Sequence, residues 1–330
     1  MPEDLTIGVD IGGTKVAAAL VGSTGEIAEK IRGPMNAAGT AAEGFAAVAD
    51  VIRAVLSAVP EARAAVKGIG LCAPGPLDPK TGIVLNPPNL PCWRNFPLAA
   101  ETERAFGVPA RVDNDANAAG LAEALWGAGA GYTNVFYATL GTGIGTGIVF
   151  DRKIYHGRTG SAAEGGHVTI DYNGPKCGCG KPGCIEALAS GPAIARRAQD
   201  KLAVGAGVRV TDQNVTPYRD SLILQLAGSL DGVRAEHVGQ AFHEGDRAAR
   251  EVLEETAHLL TVWLGNIVDL LEPDVMVVGG GIAGLMSGFF PGISRNLPRW
   301  AINQRAAEIP LVMARYGADA GIAGAGALCR

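Results

Sequence analysis

The chain has 330 residues, of which 48% are hydrophobic and 18% are charged, and its formal net charge is -5. This length exceeds the usual size of a single hydrophobic core and predicts two lobes. The negative charge argues against a broad nucleic-acid-binding surface, and no apolar run reaches the roughly 18 residues of a membrane-spanning helix. We therefore expect a small-molecule partner, no nucleic acid and no membrane. Because no export signal precedes the first strand, we also expect a cytoplasmic protein.

Two units of strand, glycine turn and strand stand early in the two halves of the chain. Residues 5–10 predict a strand, 11–15 a tight turn and 16–21 a returning strand. The same plan recurs over residues 134–150, around the glycine-rich run 140–147. This internal repetition predicts two related lobes that close on one cleft.

Between and after these units, strands alternate with helices. The pattern predicts helices at 41–58, 116–126, 248–271 and from 321 onward, and strands at 66–72, 274–278 and 309–314. The alternation indicates an α/β architecture. We divide the chain into an N-terminal lobe, 1–120, and a C-terminal lobe, 121–330, and expect the last helix to return to the N-terminal lobe. After residue 186 the pattern turns helical, with an irregular polar stretch near 205–220. The wider segment of about 199–238 is either a surface excursion or a subunit contact.

Glycine-rich loops let backbone N–H groups approach phosphate oxygens without obstruction by side chains. One such loop is often only a tight turn, but two repeated loops and a third at 279–281 favour a nucleotide cleft. The P-loop pattern is absent. The alternative is a dinucleotide fingerprint formed by Gly279, Gly281 and Gly284. It is disfavoured because no acidic residue follows at the expected distance of about 20 residues.

The segment 164–186 combines an imidazole and three thiols with two glutamates. The four possible zinc ligands, which form the donor set of a closed structural site, are His167, Cys177, Cys179 and Cys184. Glycines between the cysteines supply the backbone freedom that tight ligation requires, although coincidence or disulfide pairing is the alternative. Zinc does not need Glu164 or Glu186, so these carboxylates are available for another task.

A second polar cluster lies at the predicted junction of a strand and a helix, residues 111–117. Asp113 and Asn117 could be helix N-caps, since both residue types are favoured there. Asp115 could instead accept a proton from an attacking hydroxyl in a cleft. The proline-braced loops 73–76 and 86–89 could present polar groups to a ligand, or they could be plain turns.

Taken together, these motifs resemble the ROK family of sugar kinases and sugar-responsive repressors. The resemblance spans essentially the whole chain and is carried by residues 10–15, 73–75, 114–115, 140–145 and 164–186. It implies an actin-like ATPase fold of the hexokinase superfamily, in agreement with the two repeated hairpins. It also implies ATP and Mg²⁺ as cofactors beside structural Zn²⁺, and a homodimer or homotetramer.

The resemblance implies a role for each matching residue. Asp115 would be the catalytic base. The sugar would contact Gly75, Asn89, Asn114, Asp115, Glu164, His167 and Glu186. Magnesium and the nucleotide would lie against Asp10, Gly12, Gly13, Thr14, Lys15, Thr142, Gly143, Gly280 and Gly281. Zinc would be held by His167, Cys177, Cys179 and Cys184.

The sequence departs from the family pattern just before Glu164. The family usually has glycine there, whereas this chain has Ala163, so we expect a differently shaped loop.

The implied activity is ATP-dependent phosphorylation of a hexose at its 6-hydroxyl, glucose to glucose 6-phosphate. Alternative substrates are mannose, fructose, N-acetylglucosamine and N-acetylmannosamine, and polyphosphate is an alternative phosphoryl donor. A sugar-sensing regulator is disfavoured, because family repressors carry a DNA-binding domain where only four residues precede Leu5 here.

Overall fold

The computed structural model describes residues 4–206, 218 and 220–330. The strands are β1 (Leu5–Ile11), β2 (Lys15–Val21), β3 (Ile27–Pro34), β4 (Val66–Ala73), β5 (Leu77–Asp78), β6 (Ile83–Val84), β7 (Ala110–Asn114), β8 (Asn134–Leu140), β9 (Ile144–Phe150), β10 (Lys153–Ile154), β11 (Val275–Gly279) and β12 (Leu311–Met313). The helices are α1 (Ala41–Ala58), α2 (Leu98–Phe106), α3 (Asp115–Trp126), α4 (Ile185–Ala189), α5 (Gly191–Ala206), α6 (Leu222–Ala227), α7 (Ala235–His243), α8 (Arg247–Leu271), α9 (Ala283–Met286), α10 (Phe290–Asn296) and α11 (Ala320–Ala327). Strands and helices alternate as the sequence predicts.

The two main sheets have the same topology. The first has the order β3-β2-β1-β4-β7, and the second has the order β10-β9-β8-β11-β12. In each sheet the first three strands form an antiparallel meander, and the last two run parallel to its first strand. The repeated hairpins of the sequence therefore open two copies of one structural unit.

The register of the first sheet brings polar residues to one edge. Asp10 of β1 is paired with Cys72 of β4, and Cys72 is paired with Asp113 of β7. Because the carboxyl ends of parallel strands meet at the same edge, the β1–β2 turn and the start of α3 lie close together there.

Helices α3 and α11 pack against each other between the two sheets. A Cβ atom added to Gly8 would lie 2.0 Å from the carbonyl oxygen of Ile322, and one added to Gly70 would lie 1.6 Å from that of Ala325. Only glycine allows so close an approach of strand and helix. Helix α11 thus contacts the first sheet. The division of the chain into an N-terminal lobe, 1–120, and a C-terminal lobe, 121–330, stays a prediction.

Each sheet has its own apolar core. Trp93 is fully buried in the core of the first sheet, and Phe136 and Trp263 are buried together beside the second. Within the described ranges, no helix combines the length and apolar character that crossing a membrane requires.

Residues 199–238 include the stretch that the sequence predicts to be irregular. Helix α5 extends through Ala206, and α6 and α7 cover much of the segment beyond residue 220, so the described part is largely helical. The other residues of the predicted irregular stretch, 207–217 and 219, lie outside the described residues. The final strand is also shorter than the predicted 309–314.

Candidate active site

The junction of β7 and α3 is built around Asn114. The Asn114 Oδ1 atom accepts hydrogen bonds from the backbone N–H groups of Ala116, at 2.9 Å, and Asn117, at 3.3 Å. Asn114 is therefore the N-cap of α3, and the alternative that placed this role on Asp113 or Asn117 is wrong. Asp115 is the first residue of the helix, where the positive end of the helix dipole favours a carboxylate.

Asp113 is buried beneath this junction. Its Oδ1 atom accepts a hydrogen bond from Asn117 Nδ2 at 3.0 Å, and its Oδ2 atom accepts one from His156 Nε2 at 2.6 Å. The hydrogen bond to Asp113 raises the pKa of His156 above its ordinary value. The sequence alone does not indicate His156, because this residue belongs to no motif and contacts Asp113 only in the folded chain.

Asp115 combines solvent access with a raised pKa. The residue presents accessible surface, yet protein atoms crowd it on most sides. The pKa of Asp115 is raised to about 6, chiefly by this desolvation and in smaller part by the negative charges of Asp10 and Glu164, while the hydrogen bond from the Ala116 N–H opposes the rise. Asp115 is thus a stronger base than an ordinary aspartate, but it is still mostly ionised at neutral pH.

Asp10 lies at the end of β1, near Asp115. Burial raises its pKa, whereas the Cys72 thiol, whose sulfur is 3.6 Å from Asp10 Oδ1, and the positive charge of Lys15 oppose this rise. A partly buried carboxylate whose charge is poorly solvated is suited to a cation.

The two proline-braced loops lie against predicted site residues. A Cβ atom added to Gly75 would be 3.8 Å from Asn114 Nδ2, which places the first loop beside the N-cap. A Cβ atom added to Gly13 would be 2.7 Å from the carbonyl oxygen of Asn89, so the first glycine turn packs on the second loop. The structure therefore brings the predicted sugar-side loop into contact with the predicted phosphate-side loop.

Glu164 and Glu186 lie on either side of His167. Glu164 Oε2 is 4.0 Å from His167 Nε2, and Glu186 Oε1 is 3.9 Å from His167 Nδ1. The Glu164 side chain is 63% exposed, whereas that of Glu186 is 26% exposed. Glu186 Oε2 also accepts a hydrogen bond from the backbone N–H of Ile144 at 3.0 Å. Glu186 therefore lies between the second glycine turn and the histidine, while the more exposed Glu164 is accessible to a ligand.

The four predicted zinc ligands form one cluster. Their ligand atoms lie within 4.8 Å of one another. Cys177 Sγ is 3.6 Å from His167 Nδ1, and Cys179 Sγ is 3.6 Å from Cys184 Sγ. Tetrahedral zinc with Zn–S bonds of about 2.3 Å would separate two sulfurs by about 3.8 Å. All six cysteines are free thiols, in disagreement with the disulfide alternative, and the cluster fits a zinc ion.

The loop before Glu164 contains a backbone conformation that favours glycine. Ala163 has a φ angle of 62°. Its carbonyl oxygen accepts a hydrogen bond from Thr146 Oγ1, which in turn accepts one from the N–H of Gly165. Thr146 of β9 therefore holds Ala163 in the left-handed conformation through these hydrogen bonds, although alanine carries a side chain.

A pocket of about 1010 Å³ opens beside the second glycine turn. Its lining joins that turn to the loop after β11 and to helices α5 and α7, with Thr142, Gln199, Arg234, Gln240, Gly281 and Leu285 among the residues. Gly280 has a φ angle of 90°, and a Cβ atom there would lie 2.3 Å from the carbonyl oxygen of Leu140. Gly280 thus allows the loop to pack on the turn, and part of the segment 199–238 forms the pocket wall.

The chain is similar to proteins of known function and known structure along nearly its whole length. The model of the ROK family matches residues 6–330. The glucokinase of Streptomyces coelicolor is 34% identical over 99% of the chain and 98% of the relative, and an N-acetylmannosamine kinase of Shigella boydii is 32% identical over 98% of each. The solved structure of a ROK family glucokinase from Streptomyces griseus in complex with glucose and AMPPNP is 36% identical, with a TM-score of 0.77 over 98% of each chain.

These similarities confirm the predicted α/β fold of the actin-like ATPase type, with two lobes around a cleft. The family match covers nearly the whole chain, and the Streptomyces coelicolor relative is 34% identical over 98% of its own length. The chain therefore belongs to the ROK family.

Proposed function

We propose that the protein is an ATP-dependent sugar kinase that phosphorylates a hexose at its 6-hydroxyl, with glucose as the preferred substrate. The single observation that carries the proposal is Asp115, a solvent-accessible carboxylate at a helix start whose pKa is raised to about 6. Glucokinases are among the relatives that match the full chain. Phosphoryl transfer depends on positioning and charge neutralisation more than on covalent catalysis, so one such base is enough.

Asp115 would act as the general base. Its carboxylate takes the proton of the sugar hydroxyl as the hydroxyl oxygen forms a bond to the γ-phosphorus, and the bond from that phosphorus to the bridging oxygen breaks, leaving ADP. A pKa of about 6 leaves Asp115 mostly ionised at neutral pH while making it more basic than an ordinary aspartate.

The sugar would lie between the two lobes. Exposed Glu164 and the Nε2 atom of His167 face it from one side, and Asn114, Asn89 and the loop at Gly75 face it from the other. Carboxylates, amides and imidazole nitrogens can pair with the donors and acceptors of sugar hydroxyls.

ATP would occupy the pocket beside the second glycine turn. Its base and ribose would occupy the pocket between α5, α7 and the loop that contains Gly281. Its phosphates would lie against Thr142, Gly143, Gly280 and the first turn. The residues of that turn are Gly12, Gly13, Thr14 and Lys15. Asp10 would face Mg²⁺, since a crowded carboxylate oxygen suits a hard cation.

Zinc would have a structural task. The donor set of one histidine and three cysteines leaves no open position, so the ion would supply rigidity rather than a bound nucleophile. The Nδ1 atom of His167 faces the cysteine cluster, and its Nε2 atom faces Glu164. The ion would thereby fix the orientation of an imidazole that also meets the sugar.

A coupled assay of ADP release tests the function. Purified protein with ATP and Mg²⁺ is compared on glucose, mannose, fructose, N-acetylglucosamine and N-acetylmannosamine, with polyphosphate as a second donor. We expect sugar-dependent ADP release with glucose ranked first. A first rank for N-acetylmannosamine would assign the substrate of the second relative instead, and no release with any sugar by folded protein would reject the kinase. Light scattering would test the predicted homodimer or homotetramer.

A further inference from the structure

His156 occupies the point where the two lobes meet beside the proposed base. It follows β10 of the second sheet, and its Nε2 atom lies 2.6 Å from Oδ2 of Asp113, at the end of β7 in the first sheet. The Asp113 side chain is only 3% exposed, so this hydrogen bond is made in a largely desolvated place. A charged hydrogen bond in such surroundings is stronger than one at the surface.

On one side, the pair is connected to the start of α3. Asp113 Oδ1 accepts hydrogen bonds from the backbone N–H of Asn114 at 2.7 Å and from the side chain of Asn117 at 3.0 Å. These two residues flank Asp115. The position of the base therefore follows the position of Asp113.

On the other side, the main chain of His156 organises the loop that leads to Glu164. Its carbonyl oxygen accepts hydrogen bonds from the N–H groups of Gly160, at 3.1 Å, and Ala162, at 3.2 Å. The first lobe also contacts this loop directly, through Lys80 Nζ, which donates to the carbonyl oxygen of Arg158 at 3.4 Å. One residue thus holds the loop before Glu164 by its backbone and the junction of β7 and α3 by its side chain.

We propose that His156 is a positioning residue, which sets Asp115 and Glu164 at the correct separation across the cleft through its hydrogen bond to Asp113. The proposal rests on the proposed function, in which those two carboxylates meet the same sugar. It requires no contact between His156 and the substrate. The nucleotide pocket lies on the second lobe and does not depend on the bond.

Two amide substitutions of His156 distinguish the effect of its hydrogen bond to Asp113 from the effect of side-chain size. The amide nitrogen of glutamine stands the same number of bonds from Cβ as histidine Nε2, so His156→Gln can reach Asp113. The amide nitrogen of asparagine is one bond shorter, so His156→Asn cannot. We expect His156→Asn and His156→Ala to lower kcat/KM for the sugar by about tenfold or more, while KM for ATP stays within about twofold. His156→Gln should stay within about threefold of the wild type.

Isothermal titration of glucose without nucleotide gives a second readout, and it remains usable if turnover is absent. The dissociation constant should rise in His156→Asn and not in His156→Gln. Equal impairment of the two amide variants, an unimpaired His156→Ala, or an equal rise in KM for ATP would overturn the proposal. Loss of ADP release in the wild type would reject the kinase function alone. His258→Gln is the matched control, because His258 lies against Trp300 in a separate pocket that contains none of the predicted site residues.

Discussion

At the scale of single residues, Asp115 carries the sharpest expectation. Asp115→Asn removes the proton acceptor but keeps the size of the side chain, so kcat should fall by about 10²- to 10⁴-fold while the sugar still binds. In the wild type, kcat/KM should fall about tenfold per pH unit below the pKa of about 6, because the protonated carboxyl group cannot accept a proton.

Steady-state kinetics over pH 4.5 to 8 would check the fall in kcat of Asp115→Asn and the pH dependence of the wild type. Calorimetric titration would check that the variant still binds the sugar. Asp200→Asn, at an exposed position on α5, serves as the control and should match the wild type. Activity of Asp115→Asn within tenfold of the wild type would show that Asp115 is not the general base.

Ala163 gives a second expectation at this scale. Its φ angle of 62° costs an alanine about 1 to 2 kcal/mol, whereas glycine adopts it freely at an entropic cost of about 0.4 to 1 kcal/mol in the unfolded chain. Ala163→Gly should therefore be neutral or stabilising by up to about 1 kcal/mol in chemical denaturation. Ala46→Gly, within α1, should destabilise by about 1 kcal/mol. Equal losses in both variants would contradict a strained Ala163.

Some site residues could be predicted from sequence and others could not. The zinc ligands and Asp115 stand in short local motifs whose spacing carries the chemistry, and the structure brings the four ligands together. His156 has no such motif, since its partner Asp113 is 43 residues away and belongs to the other sheet. The N-cap was misplaced because the motif 113–117 offers several residues of the favoured types.

At the scale of elements, the segment from Glu164 to Glu186 acts as one unit. Cys179→Ser should remove zinc and raise the KM for the sugar by about tenfold or more, since the loop that orients His167 loses its support. Metal analysis of the purified variant and steady-state kinetics test the two effects together. Cys92→Ser changes a thiol outside the cluster and should alter neither. Loss of zinc with unchanged kinetics would show that the cluster does not support the sugar site.

The elements themselves were predicted unevenly. The long helices α1 and α8 and the buried strands have strong periodicity, and their bounds match within a few residues. Strand β3 was missed because it lies at a sheet edge, where most of its side chains are exposed. Helices α6 and α7 lie where the pattern turns helical, but their bounds were not predicted, because six and nine residues give little periodic signal.

At the scale of the whole molecule, the close packing of α11 on the first sheet should be intolerant of added atoms. In Gly70→Ala, the new Cβ would lie 1.6 Å from a backbone oxygen, so strand or helix must move. We expect a loss of about 3 kcal/mol or more and a melting temperature lower by roughly 5 °C or more. Gly288→Ala has no atom within 4 Å of the new Cβ and should melt as the wild type does.

The same packing has a consequence for the order in which the protein acquires its structure. Thr6 of β1 donates a hydrogen bond to the carbonyl oxygen of Gly326 of α11, 320 residues further along the chain. At about 5 to 20 residues per second, a ribosome needs roughly 15 to 60 seconds to synthesise the intervening chain. During that interval the face of the first sheet that α11 covers is without its helix. The first lobe to emerge is therefore among the last parts of the molecule to be completed.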